Sequence, residues 1–332
     1  MLGRTIVVVG LCGMLALVGC RSSNQEEAHQ KSRVAVTLAP YRYFVERIAG
    51  DLVEVDIVVP AGADPHTFEP TPQQLEAAMH AKVWFCIGEP FERRMKHSLR
   101  THRRDLLIAD LREGWEGSLH AHQHANHQHE HGECPGCGQQ DRHLWMSPRR
   151  AGHQAAFIAK TLSRAFPEHR DAFQKRLVIF QRDLSKLTQD LEEQLKTVND
   201  RWILVSHPAL GYFCEDFGLH QLSLEVEGKE ATPQQLAHLI EEAKHLPLRC
   251  VITQSQHNPA GARWIAEQLG LQAHPFDPYS ADYMNNLRSI AGLFSTARLC
   301  TPPAPSGLEE SVQQCVGGGP ESVGACVGAA HG

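Results

Sequence analysis

No stretch beyond residue 18 is long and apolar enough to cross a bilayer, which excludes a multi-span membrane protein. There is no excess of positive charge either. Lys and Arg number 32 against 38 Asp and Glu, a formal net charge of −6, so no nucleic-acid partner is expected. No H-E-x-x-H occurs, so the zinc-hydrolase pairing of two helical histidines with a glutamate base is missing and no enzyme is expected. Past residue 300 even periodicity is absent: TPPAPSG gives way to glycine-rich sequence, and 301–332 reads as a mostly disordered tail. What the chain has in plenty is histidine, 21 copies in 332 residues. Neutral imidazole is the commonest protein metal ligand, so metal chemistry is the first function to consider.

The N-terminus sets the expected compartment. Arg4 precedes an apolar run over residues 6–18, too short for a comfortable span and patterned as a secretory signal, 1–19. The run ends in Leu17-Val18-Gly19-Cys20, which resembles the lipobox of bacterial lipoproteins. That resemblance implies cleavage before Cys20 and a lipid on its sulfur, with 20–32 as a polar tether. The expected location is extracytoplasmic, in a bacterial periplasm or at the cell surface, held to the membrane by the lipid anchor. Among the ten cysteines, Cys86 and Cys214 sit in apolar segments and read as small buried hydrophobes. Cys134 and Cys137 form a lone C-x2-C that either ligates metal or closes as a disulfide.

Short β-branched runs alternate with helical patterns, which argues for an α/β fold with parallel sheets. Strands are expected over 34–38, 53–59, 83–87, 202–206 and 250–253. Helices are expected over 41–49, 72–79, from 148 onward, and over 232–245, 259–269 and 281–299. Between residues 167 and 198 Phe173, Leu177, Phe180, Leu184, Leu187, Leu191, Leu195 and Val198 recur at spacings of three and four. A helix of that length spans roughly 45 Å. A coiled-coil dimer is the alternative, but a few heptads isolated between α/β segments favour a strut between lobes. The expected architecture is therefore two parallel-sheet α/β lobes joined by one long helix, in a monomer. The N-terminal lobe covers 33–166, the linking helix 167–199 and the C-terminal lobe 200–300, with a metal site in the cleft between the lobes.

Four residues fall where ligands collect in such folds, at the ends of expected strands or loops, His143 just before a helix. They are His66 in GADPHTFEPTP, His143 in DRHLWMSP, His207 in VSHPALGYF and Asp277 in PFDPYS. Each alone is weak evidence: a turn histidine is more often solvated, and Asp-Pro often only starts a turn. Together, three neutral imidazoles and one carboxylate fill a tetrahedral zinc shell. Raw affinity does not exclude nickel or copper from the same ligands.

These segments, with EGKEATPQQL and DPYSADYMNNL in the same order, resemble the solute-binding proteins of zinc and manganese ABC importers. The resemblance runs from about residue 33 to 300. It implies that His66, His143 and His207 bind Zn2+, and that Asp277, or a water in its place, completes the shell. Manganese-preferring members tend to carry glutamate where His207 stands, and imidazole at that point suits zinc. The implied function is high-affinity capture of zinc outside the cytoplasm and delivery to an ABC-type membrane permease with its ATPase. A zinc buffer or adhesin on the same fold, or a manganese-binding member, are the alternatives. His120, His122, His124, His127, His129 and His131 lie in a polar insertion, 118–140, expected to be a mobile loop. Relatives carry a similar loop, and its tethered imidazoles would gather zinc weakly near the main site. The resemblance also implies a disulfide between Cys250 and Cys300. Two positions depart from the family pattern: Gln254 stands where a glutamate is common, and Pro65 where some zinc-specific relatives are acidic.

Overall fold

The computed structural model describes residues 31–113, 141–199, 201–226 and 229–296. The expected signal segment, Cys20, the histidine-rich stretch with Cys134 and Cys137, Cys300 and the tail lie outside the described residues. No helix among the described residues is long and apolar enough to cross a membrane.

The first lobe runs β1 (Ser32–Val36), α1 (Ala39–Ala49), β2 (Val53–Ile57), α2 (Pro72–His80), β3 (Val83–Cys86), α3 (Pro90–His102) and β4 (Leu107–Asp110). Its strands are all parallel, in the order β2-β1-β3-β4. Then come α4 (Pro148–Ala165) and, after a 3-10 turn at Pro167–His169, the 26-residue α5 (Arg170–Leu195). The second lobe opens with β5 (Trp202–Val205), α6 (Gly211–Phe217) and β6 (His220–Ser223). A short antiparallel pair follows, β7 (Glu225–Val226) and β8 (Lys229–Glu230). The lobe ends with α7 (Pro233–Lys244), β9 (Leu248–Gln254), α8 (Ala260–Gln268), β10 (Ala273–Phe276) and α9 (Tyr283–Thr296). Its sheet order is β10-β9-β5-β6, again parallel.

The two sheets share one topology. Read from the appropriate edge, each places its second strand first, then its first, third and fourth. The sequence echoes the repeat: the helix between second and third strands begins with Thr-Pro-Gln-Gln-Leu in both lobes, at Thr71 and at Thr232. In both, the threonine hydroxyl accepts from the backbone N–H three residues on, and that residue's glutamine side chain returns the bond. This reciprocal cap starts each helix cleanly, with proline at its first position.

Helix α5 is 26 residues, or about 39 Å, long. Phe173, Leu177, Phe180, Leu184, Leu187, Leu191 and Leu195 are all buried. Their stripe is covered within the chain by α1, α4 and α9, so a coiled-coil partner is not needed to bury it. Elements of both lobes are also joined directly behind the cleft. Trp145 Nε1 donates to the Pro278 carbonyl at 2.9 Å, and the Tyr283 hydroxyl to the Trp145 carbonyl at 2.7 Å. Tyr212 donates to the Asp141 carbonyl at 3.0 Å, and the buried Arg150 pairs with Asp216 at 3.1 Å. These buried bonds join the lobes behind the cleft and oppose any wide opening about α5.

Candidate metal centre

His66, Glu89 and His207 lie in turns that follow parallel strands, where the sheet stops and its loops face the cleft, and His143 stands just before α4. His66 lies in the loop after β2, its N–H donating to Asp64 Oδ1 at 3.0 Å. His143 repeats that D-x-H turn: its N–H donates to Asp141 Oδ1 at 2.9 Å. His207 follows β5 from the other lobe, and its carbonyl accepts from Gln254 Nε2 at 2.9 Å. Gln254 therefore fixes the backbone of a site loop, a role that needs an amide donor rather than the charge of a glutamate. Gly88, with φ of 87°, turns the chain between β3 and α3 and leads into Glu89. Its carbonyl accepts from Arg142 Nε at 2.9 Å, which ties the Glu89 turn to the residue before His143. The positive φ favours glycine here, and a Cβ would fall 2.1 Å from the Arg112 guanidinium, which would have to swing aside.

The structure brings His66, His143 and His207 together: one ligand atom of each lies within 4.8 Å of the others. Every one of the three rings has its Nδ1 on a carboxylate. His66 meets Glu89 at 3.1 Å, His143 meets Asp141 at 2.7 Å and His207 meets Glu225 at 2.7 Å. A ring whose Nδ1–H donates a hydrogen bond to the carboxylate keeps its Nε2 lone pair free, the arrangement in which protein imidazoles ligate metals. The Nε2 atoms of His66 and His207 face each other at 3.2 Å. Tetrahedral zinc with Zn–N bonds of about 2.0–2.1 Å places neighbouring nitrogens about 3.3 Å apart, so the spacing fits. His143 Nε2 is buried and has no hydrogen-bond partner among the described residues. A buried imidazole nitrogen left without a partner is costly unless a ligand takes it.

The electrostatics favour a cation. Burial raises the Glu89 and Glu225 carboxyl pKa values, but hydrogen bonds from His66 and His207 outweigh it and hold both below the usual range. Burial also pushes the His66 imidazole down, and there the bond to Glu89 and its charge win, leaving the pKa raised. For His207 burial prevails over the pull of Glu225, helped by repulsion from His143, and its pKa is lowered. Ionised carboxylates behind the rings thus offset the charge of a dication bound in front of them.

Asp277 does not join this group. Its Oδ1 accepts from Gln256 Nε2 at 2.8 Å and from the Tyr279 N–H at 2.9 Å, and those bonds hold the carboxylate in its own turn. Both bonds fall on Oδ1, and Asp277 is not among the residues whose ligand atoms converge within 4.8 Å of one another. Three residues behind the rings, Glu89, Asp141 and Glu225, went unassigned in the sequence. Asp141 carries a signal, since D-x-H occurs at both first-lobe histidines; Glu89 and Glu225 carry none, because topology alone brings them to the site. His257 also meets the cleft, stacked on His207 with ring centroids 4.9 Å apart.

Comparison with known proteins finds relatives that bind zinc. The family described as zinc-uptake complex component A, periplasmic (ZnuA), matches residues 34–297. A crystal structure of ZnuA is 33% identical with a TM-score of 0.73, covering 80% of this chain and 99% of that one. A zinc-bound ZnuA deletion mutant has the same identity and TM-score over 82% of this chain and 100% of its own. The zinc-binding lipoprotein AdcA of Streptococcus pneumoniae strain R6 is 26% identical over 286 residues, 82% of this chain. The chain spans only 54% of AdcA, so that relative has much that this chain does not match.

Proposed function

This chain belongs to the periplasmic zinc-uptake component A family, and on that premise we propose that it captures zinc outside the cytoplasm and delivers it to an ABC-type membrane permease. His66, His143 and His207 hold the ion through Nε2, and the permease's ATPase drives import. The observation that carries this reading is the set of three converging imidazoles, each with its far nitrogen on a carboxylate. Three nitrogen donors suit zinc better than manganese, which favours oxygen. A water closes the shell, because Asp277 is held elsewhere. The interlobe bonds behind the cleft confine release to local movement of the loops that bear His66 and His207.

The carboxylates test the reading without removing a ligand. In Asp141→Asn the amide accepts less strongly from His143 Nδ1, and the ring loses basicity. Zinc affinity is expected to fall about 10–100-fold while the protein stays folded. Competition against a chromophoric zinc chelator checks this. Unchanged affinity in Asp141→Asn and in Glu225→Gln alike would remove the trio from the binding site.

Further parts of the proposal concern residues outside the described ones. Cys20 carries the lipid that keeps the protein at the membrane, and its mass, with or without acyl chains, decides the point. His120 to His131 gather zinc weakly beside the main site, so deleting them removes weak binding and leaves one tight equivalent. Cys250, buried in β9, pairs with Cys300. Arg249 Nε donates to the Phe294 carbonyl at 2.9 Å, so the end of α9, from which Cys300 is a few residues distant, already lies against β9. Burial pushes the Cys250 thiol up to about 12, which leaves it unreactive if unpaired. Non-reducing peptide mapping is expected to find the two cysteines linked, and two separately alkylated thiols would refute the bridge.

A further inference from the structure

His257 stands just past β9, and the three-imidazole centre does not use it. Its ring lies nearly parallel to that of His207, 14° apart in plane, and its Nδ1 is 3.6 Å from Glu225 Oε1. The other oxygen of Glu225 holds His207 Nδ1 at 2.7 Å, so this one carboxylate faces imidazoles with both oxygens. His257 Nε2 is buried without a hydrogen-bond partner among the described residues. Ligand atoms of His207, Glu225 and His257 all lie within 4.8 Å of one another, the same closeness as in the main trio.

The lobe repeat shows how this second group arises. In the first lobe the turns after the second and third strands supply a histidine and a carboxylate, His66 and Glu89, paired at 3.1 Å. In the second lobe the equivalent turns supply the same two groups in exchanged places, Glu225 and His257. His207 projects between the pairs and touches both.

We propose that His207, Glu225 and His257 form a second zinc position beside the first, which the ion occupies in passing between the capture site and the outside. The proposal rests on the capture function argued above. A neutral imidazole has a single lone pair, so His207 serves one ion at a time and the two positions fill alternately. With zinc in the first position, Glu225 accepts the His207 Nδ1 proton. With zinc in the second, Glu225 is itself a ligand and His257 takes the place of His66 and His143. Two histidines and one carboxylate leave a coordination position open, which suits an ion in transit. Glu225 Oε1 stands 3.6 Å from His257 Nδ1, farther than the 2.7 Å between Asp141 and His143, so the second position is the weaker of the two. The alternative is that His257 only stacks on His207 and binds nothing.

Zinc-edge anomalous diffraction on crystals of the full chain separates these readings, using wild type and His66→Ala, both soaked in zinc chloride. His66 is partly buried in a loop outside the hydrophobic core, so its truncation leaves the core intact. Wild type is expected to show zinc on the main trio, and His66→Ala to show it moved between Glu225 and His257. Loaded wild-type crystals together with a variant lacking zinc at Glu225 and His257 would overturn the second position. A wild type without zinc on the trio would overturn the capture function, and the second position with it. The transit role has its own readout. In His257→Ala, transfer of bound zinc to excess chelator in a stopped-flow instrument is expected to slow about tenfold, the lower range for losing a group beside a metal. An unchanged transfer rate would refute it.

Discussion

Replacing His143 by alanine is expected to weaken zinc binding by more than about 100-fold, beyond the 10–100-fold typical for losing a partner behind a ligand. The change removes one of three protein nitrogens and leaves a cavity at a side chain that is only 5% exposed. It also strands the Asp141 carboxylate, 3% exposed, without the imidazole it now meets. His66 is 22% exposed, so His66→Ala strips less from the site and is expected to lose less than His143→Ala, the ion then resting at the position proposed between His207, Glu225 and His257. His207→Ala disconnects the second lobe and belongs with the larger loss. Asp277→Ala provides the contrast, with affinity staying within a few-fold because its carboxylate is bonded to Gln256 and Tyr279. Chelator competition gives all four values. Affinities near wild type in the three histidine variants, or a collapse confined to Asp277→Ala, would invert the ligand assignment.

The largest effect on stability is expected at Phe180, in the middle of α5. Its ring is fully buried and packs edge-on to Phe44 at 5.3 Å and Tyr43 at 5.8 Å between centroids. The Arg47 guanidinium sits 5.0 Å from the ring centre, held over it by a 2.6 Å ion pair with Asp183. Truncation removes the aromatic contacts, opens a cavity and leaves that guanidinium over empty space. Phe180→Ala should therefore cost about 3–5 kcal/mol by denaturant unfolding, a large part of an ordinary domain's stability. Val178, on the same helix but 67% exposed, is the control: Val178→Ala should stay within about 0.5 kcal/mol. A cost under about 1 kcal/mol for Phe180→Ala would mean that α5 does not organise the core as its packing indicates.

Much of this architecture is legible in the sequence, and the unread parts have identifiable causes. The α5 stripe reads directly, because its apolar residues keep helical spacing and all of them are buried. Central strands such as VWFC and WILV read as apolar runs because neighbours cover both faces. The strands that give weak signals lie at sheet edges: LIAD at β4, HQLS at β6 and AHPF at β10, the last interrupted by Pro275. Helix α3 is dense in charge, and only Phe91, Met95 and Leu99, each four residues apart, mark its buried face. Helix α1 begins two residues earlier than its apolar spacing suggests, with Pro40 in its first turn. The TPQQL repeat was present to be read, and it marks the shared topology of the lobes.

At the site the same divide holds between local and distant information. His66, His143 and His207 are flagged by turns that the sequence displays, and the structure places them together. Asp277 sits in an equally suggestive turn, yet its Oδ1 accepts the turn bond that Asp-Pro foreshadows, from the Tyr279 N–H, and a second from Gln256, 21 residues away, that no sequence pattern reveals. Glu89 and Glu225 reach their histidines from 23 and 18 residues away, and only the stacking of parallel strands brings them there. The sequence thus shows the ligands, while the groups that orient them emerge from the fold.

The most direct test of zinc capture is the position of the ion itself. Anomalous maps at the zinc edge, from crystals of the wild-type chain carrying one equivalent, should show a single strong peak bonded to Nε2 of His66, His143 and His207. Distances of about 2.0–2.1 Å are expected, with Glu89, Asp141 and Glu225 still on the opposite nitrogens and a water in the fourth position. A peak among residues 118–140 alone, or one bonded to fewer than two of the three histidines, would contradict the account.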